Sequence, residues 1–204
     1  MKGIFITFEG AEGSGKSTQM ELLVRYLRSK KKNVIQIREP GGVVISEKIR
    51  TILLDPGNRK MCKASETLLY MAARAQLVEE IILPSLKKGK IVLCDRFLDS
   101  TLAYQGYGCG VNLEAIRAIG RFATAQIKPD LTLVFDLSTQ EGLRRVGANK
   151  DRIEQRSFDY HKRVRKGYLQ LARKNPKRIK VIRVDGDKGK IEKVVRDHID
   201  RLLK

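Results

Sequence analysis

Short, nearly continuous apolar runs alternate along the chain with segments whose apolar residues recur at helical spacing. GIFITF precedes a helical pattern around LLVRYL, and NVIQI precedes SEKIRTILL. IVLCD follows the long run LLYMAARAQLVEEIILPSL; LTLVFDL and KVIRV come later, the last followed by IEKVVRDHIDRLL. Runs that are β-branched and apolar on both faces belong to a parallel sheet covered by helices on each side, so the alternation predicts βαβ units. Strands are expected near residues 3–8, 33–37, 90–94, 131–136 and 179–184. No repeat or low-complexity linker divides the sequence, and residues 1–204 are read as one domain. Between Leu137 and Ser157 the pattern gives way to the polar, basic stretch STQEGLRRVGANKDRIEQR, read as a mobile loop or short helical lid over about 138–156. Open sheets of this kind bind ligands beyond the carboxyl ends of their strands, so the chemistry is sought there.

Composition narrows the partners. The chain has 204 residues, 42% of them hydrophobic, enough for a sizeable core. Its formal charge of +19 attracts polyanions, whether nucleotides, nucleic acid or an anionic membrane surface. Much of that excess lies in KSTQMELLVRYLRSKKK and ARKNPKRIK, where no aromatics are interleaved for base stacking, so solvated faces are expected rather than a specific nucleic-acid groove. Cys62, Cys94 and Cys109 are too scattered for a disulfide framework, and no run approaches a membrane span or a leader, so a cytoplasmic chain with no membrane partner is expected. His161 and His198 sit among charges on apparent helices and are read as surface residues.

GAEGSGKS, Gly10 to Ser17, fits G-x-x-x-x-G-K-[ST] between a strand and a helix. Gly10, Gly13 and Gly15 allow backbone N–H groups to curl around phosphate oxygens, and the following helix points its positive end there. Lys16 offers a cation for the β and γ phosphates, and the Ser17 hydroxyl suits Mg²⁺. Asp95, ending a buried strand, can act on Mg²⁺ through water, while Arg96 can reach phosphate with a planar fork; a structural Asp–Arg pair is the bland alternative. In FLDSTLAYQGYG, Ser100, Thr101, Tyr104 and Gln105 occupy about one helical turn and could read a sugar or base. REPGG supplies Arg38 and Pro40 after the second strand, with a plain turn as the competing reading. Arg50 lies one turn beyond Glu47, where a surface pair is the simpler role. Tyr70 and Arg74 share a helix face, either for stacking and hydrogen bonding or as a core ring beside a solvated cation.

FEGAEGSGKST, REPGG, LLYMAARAQ, DRFLDSTLAYQG and DRIEQRSFDY, in this order, resemble the thymidylate kinases of the bacterial type over nearly the whole chain. The resemblance implies a three-layer P-loop NTPase fold, with a five-stranded parallel sheet flanked by helices and a short basic lid. It implies transfer of the γ-phosphoryl group of ATP to dTMP, a need for Mg²⁺, and a homodimer. The phosphate loop, residues Gly10, Ala11, Glu12, Gly13, Ser14, Gly15, Lys16, Ser17 and Thr18, would hold ATP. Glu12 would approach the acceptor's 3′-hydroxyl, Tyr70 would stack on thymine, and Arg74 would bond its O4. Arg38, Pro40, Arg50 and Arg96 would line the acceptor site, and Ser100, Thr101, Tyr104 and Gln105 would read the base and crowd the 2′ position. This loop lacks an arginine, so the transferring cation is expected from the lid, where Arg145 and Arg152 match best among Arg144, Arg145, Lys150 and Arg152. Another nucleoside monophosphate kinase, a polynucleotide-binding ATPase and an inactive nucleotide-binding protein stay open as rivals.

Overall fold

A computed structural model describes residues 3–147 and 150–204. Five strands form one all-parallel sheet: β1 (Ile4–Glu9), β2 (Val34–Arg38), β3 (Ile91–Asp95), β4 (Leu131–Asp136) and β5 (Ile179–Arg183), in the order β2-β3-β1-β4-β5. Each expected strand is present to within a residue or so. Their side chains alternate between two apolar clusters. Ile6 and Phe8 of β1, Ile91 and Leu93 of β3, and Leu131, Leu133 and Phe135 of β4 meet Met20, Leu23 and Leu27 of α1 (Lys16–Ser29) and Ile191, Val195 and Ile199 of α9 (Lys188–Leu202). Phe5, Val92 and Cys94 point the other way, toward Leu77, Val78 and Ile82. Burying a side chain such as Phe8, which is fully enclosed, contributes about 2–3 kcal/mol.

The other layer is built from α2 (Val44–Leu54), α3 (Lys63–Leu77), α4 (Leu83–Lys87), α5 (Leu98–Thr101), α6 (Leu113–Ala123) and α8 (Phe158–Lys174). The apolar run LLYMAARAQLVEEIILPSL forms one continuous rod, but its middle, Val78–Ile82, widens into a π-helical turn before α4. A second π-helical stretch, Leu102–Gly108, extends α5, and wide turns of this kind often mark functional sites. Helix α7 (Thr139–Val146), capped by Ser138, occupies the first half of the expected lid. Ala148 and Asn149, in the same stretch, lie outside the described residues.

Register decides what meets at the sheet's carboxyl edge. Phe8 is level with Asp95, and Asp95 with Arg38. The residues that follow β1, β2 and β3 therefore emerge side by side at the point where the strand order reverses.

Candidate active site

The loop from Gly10 to Gly15 leaves β1 and turns into α1, with Gly13 and Gly15 at φ of 67° and 81°. Its path is set by close backbone contacts. A Cβ on Gly13 would stand 2.3 Å from the Gly142 carbonyl oxygen of α7, and a Cβ on Gly142 would stand 2.6 Å from the Glu12 carbonyl oxygen. The two glycines thus let the phosphate loop and α7 touch backbone to backbone. Lys16 folds over the loop, donating from Nζ to the carbonyls of Ala11 (2.9 Å) and Gly10 (3.2 Å). Burial, followed by the nearby Arg96 cation, lowers its pKa to about 8.

Arg96 is the hub. It has a left-handed backbone at φ 72°, costly for a residue with a Cβ, and is held there by its N–H bond to the Phe8 carbonyl. One guanidinium nitrogen donates to the Gly10 carbonyl (3.0 Å) and the Tyr168 hydroxyl (3.2 Å), the other to Glu12 Oε1 (3.2 Å). The bland alternative, an ion pair with neighbouring Asp95, does not form among the described residues. Asp95 Oδ2 instead accepts from the Ser17 hydroxyl at 3.2 Å, and its buried Oδ1 has no protein partner. A carboxylate beside a hydroxyl, next to the phosphate loop, offers two oxygen ligands of the kind Mg²⁺ takes together with water and phosphate oxygens.

Beneath the loop sits Glu9, fully buried. It accepts from the Phe97 N–H (2.8 Å), the Ser100 hydroxyl (2.5 Å) and the Tyr168 hydroxyl (2.9 Å). Burial, and then the negative charge of Asp99, pushes its pKa up to about 7. Glu39 is a second buried carboxylate at about 7, raised by burial against the attraction of Arg74, whose Nε donates to it at 2.7 Å. Arg74 is buried too, 2% exposed, and also donates to the Thr101 hydroxyl at 3.1 Å. The solvated reading of Arg74 is thereby corrected: Glu39, invisible in a local reading, provides the countercharge that allows its burial.

A cleft of about 370 Å³ opens beside these groups. Glu12, Gly13, Lys16 and Ser17 of the loop line it, with Arg38, Pro40, Arg50, Tyr70, Arg74, Asp95, Arg96, Ser100, Thr101, Tyr104 and Gln105 around them. The sequence-derived candidates thus converge, although several already hold one another. Arg38 pairs with Glu47 (2.9 Å), displacing the expected Glu47–Arg50 contact, and Arg50 donates instead to the Pro40 carbonyl (2.9 Å). Tyr104 donates to Glu12 Oε1, and Gln105 donates to buried Glu66 at 2.8 Å.

Arg145 and Arg152 do not line the cleft. Arg145 pairs with Glu141 (2.8 Å) and reaches the Gly13 carbonyl only at 3.5 Å. Arg152, 7% exposed, is tied to Glu66 at 2.6 Å and to the Leu53 carbonyl at 2.7 Å, so its cation is engaged away from the loop. His161 corrects another expectation: it is 1% exposed, not a surface residue. It lies two helical turns before Tyr168 on the inward face of α8, a spacing that could have flagged both. Its Nδ1 is 3.5 Å from Glu12 Oε2. Burial works to raise the Glu12 pKa, but His161, Arg96, Tyr104 and Lys16 outweigh it and hold it near 2.

Comparison with known proteins identifies the family. The thymidylate kinase family profile matches residues 8–197. Thymidylate kinases of Symbiobacterium thermophilum and Pelotomaculum thermopropionicum are similar at 46% and 49% identity, the alignments covering 98% and 99% of this chain and 94% and 92% of theirs. The crystal structure of thymidylate kinase from Ehrlichia chaffeensis superposes with a TM-score of 0.80 at 35% identity, over 98% of this chain and 99% of that one. With the family profile matching residues 8–197 and relatives of this identity and coverage, the chain belongs to the thymidylate kinase family.

Proposed function

We propose that this protein transfers the γ-phosphoryl group of ATP to dTMP, giving dTDP and ADP. The observation that carries the proposal is the position of Glu12 and Lys16: neighbours in one loop, both facing a cleft walled by Tyr70, Arg74 and Thr101. In this reading the loop's N–H groups and Lys16 hold the donor phosphates, and Glu12 turns the same loop toward the acceptor's 3′-hydroxyl. Tyr70 presents a ring to thymine, and Arg74, stiffened by Glu39, presents guanidinium N–H to its O4. Thr101 and Gln105 read the remaining edge, with Tyr104 beside the sugar. Arg38, Arg50 and Arg96 surround the acceptor phosphate, and their charge opposes the repulsion between two anionic nucleotides.

Asp95 and Ser17 would hold Mg²⁺, which when bound neutralises the donor phosphates and orients them. Phosphoryl transfer asks the protein chiefly for positioning and cationic stabilisation. Helix α7, already resting on Gly13, carries Arg145 beside the phosphate loop, where its guanidinium would serve that task once Glu141 releases it. Closure of α7 over the cleft would exclude water and limit idle hydrolysis of ATP.

The proposal extends to a cytoplasmic homodimer. No helix among the described residues is long and apolar enough to cross a membrane. Val44, Ile45 and Ile52 of α2, Leu68 of α3 and Phe122 of α6 are exposed on helices packed in series, which supports burial against a second copy. Sedimentation velocity measures that state. The activity is tested by an acceptor panel of dTMP, dUMP, AMP, CMP and GMP with ATP and Mg²⁺. Formation of dTDP is expected. Phosphorylation of AMP or CMP without dTMP, or DNA-stimulated hydrolysis with no acceptor turnover, overturns the proposal.

A further inference from the structure

His161 is an expensive residue to place where it is. Its ring is enclosed on α8 beside Tyr160, with ring centroids 5.2 Å apart, and neither ring nitrogen has a hydrogen-bond partner among the described residues. Buried polar atoms left unmatched cost free energy, so such a histidine persists where something offsets that cost. The atom opposite it is the buried Oε2 of Glu12, also without a partner within hydrogen-bond criteria, 3.5 Å from Nδ1. The two lie at the limit of hydrogen-bond reach, and a small tilt of either ring or carboxylate joins them.

The other edge of Glu12 is fully committed. Oε1 accepts from Tyr104 and from Arg96, both cleft residues. Those two contacts hold one oxygen of the carboxylate and leave Oε2 without a donor. A donor on Oε2, arriving from a different helix, pins the second oxygen and so fixes the plane of the carboxylate. Helix α8 already sends Tyr168 to Glu9, Ser100 and Arg96. Two turns earlier, His161 gives the same helix a second hold, this time on the phosphate loop itself.

We propose that His161 is a positioning residue that acts through Glu12, fixing the buried edge of that carboxylate so that the loop presents a single orientation to the acceptor's 3′-hydroxyl. This rests on the reading of Glu12 given above. It makes α8, the helix that follows the expected lid, part of acceptor selection.

The test compares dTMP with its 3′-deoxy analogue, which lacks the hydroxyl Glu12 would meet. His161→Phe keeps a ring of similar shape and removes the donor. His161→Asn retains a donor near the position of Nδ1. With dTMP, His161→Phe is expected to lower kcat/KM about tenfold, the order of one lost hydrogen bond to a charged group, with the KM for ATP unchanged. His161→Asn should restore most of the loss. With the 3′-deoxy acceptor, wild type and His161→Phe should be equal. Equal losses on both acceptors, or no loss on dTMP, overturn the proposal. If wild type itself uses both acceptors equally, the reading of Glu12 falls first and the inference with it; if wild type discriminates and His161→Phe discriminates by the same factor, only the inference falls. Thermal unfolding accompanies each variant, and His161→Leu replaces His161→Phe should the larger ring unsettle the core.

Discussion

Replacing Glu9 with Gln should make the protein more stable at alkaline pH, by an amount the site itself sets. Glu9 has a pKa near 7 in the folded protein against 4.5 for an exposed glutamate, because burial and Asp99 disfavour its charge. The folded form therefore keeps a proton that the unfolded chain has already released. Stability falls as pH rises between those two values and levels off above the folded one. The full gap corresponds to about 3 kcal/mol, of which about 2.5 kcal/mol falls between about pH 5 and about pH 8. Glu9→Gln is neutral throughout this range. Its Oε1 can still accept from the Phe97 N–H, and the Ser100 and Tyr168 hydroxyls can rotate to accept from its amide. The assay is urea unfolding of both chains across that range, at one chain concentration and without nucleotide. Glu39 titrates in the same window, but it is present in both chains and cancels in the difference. The advantage of Glu9→Gln over wild type should widen by about 2.5 kcal/mol from the acid to the alkaline end. A difference that stays flat, or that narrows, would refute the claim that the buried carboxylate is held near neutrality.

Other expectations concern the cations. Because Lys16 has a lowered pKa of about 8, the free enzyme loses this charge above that value, and ATP affinity measured by calorimetry should weaken about tenfold from about pH 7 to about pH 9. Lys16→Arg should flatten that dependence. Glu66→Ala leaves the guanidinium of buried Arg152 without its carboxylate and removes partners of Arg156 and Gln105, so chemical unfolding should report a loss of about 3–5 kcal/mol. Glu66→Gln, which keeps an acceptor, should lose less. Arg145→Ala should lower kcat at least about tenfold and leave the KM for dTMP within about threefold; an unchanged kcat would exclude this guanidinium from the transfer step.

The sheet was legible because its strands are apolar on both faces, and such runs as IVLCD and LTLVFD admit few other readings. The phosphate loop was legible because its chemistry is contiguous. What escaped local reading depends on distant partners. Glu9 stands one residue before the recognisable motif, and its meaning comes from Ser100 and Tyr168, 91 and 159 residues away. Glu39 sits inside REPGG, but only the fold shows that Arg74 neutralises it. The helical reading of Tyr70 and Arg74 placed them on one face without saying what that face meets. His161 was misjudged because its sequence neighbours are charged, while its own side of α8 is set by Tyr160, Val164 and Tyr168. Arg152 was identified as a cation, and only the tertiary contact with Glu66 shows that it is already engaged.

The contact between Gly13 and Gly142 constrains how this sequence can drift. Gly13 is needed because of the Gly142 carbonyl and Gly142 because of the Glu12 carbonyl, so a side chain at either position pushes α7 off the phosphate loop whatever happens to the remaining contacts. Residues separated by more than half the chain thus form a single heritable unit. The helix that carries Arg144 and Arg145 could be exchanged with a relative's only together with the loop on which it rests, and recombination between the two segments would yield folded chains with a misaligned donor site.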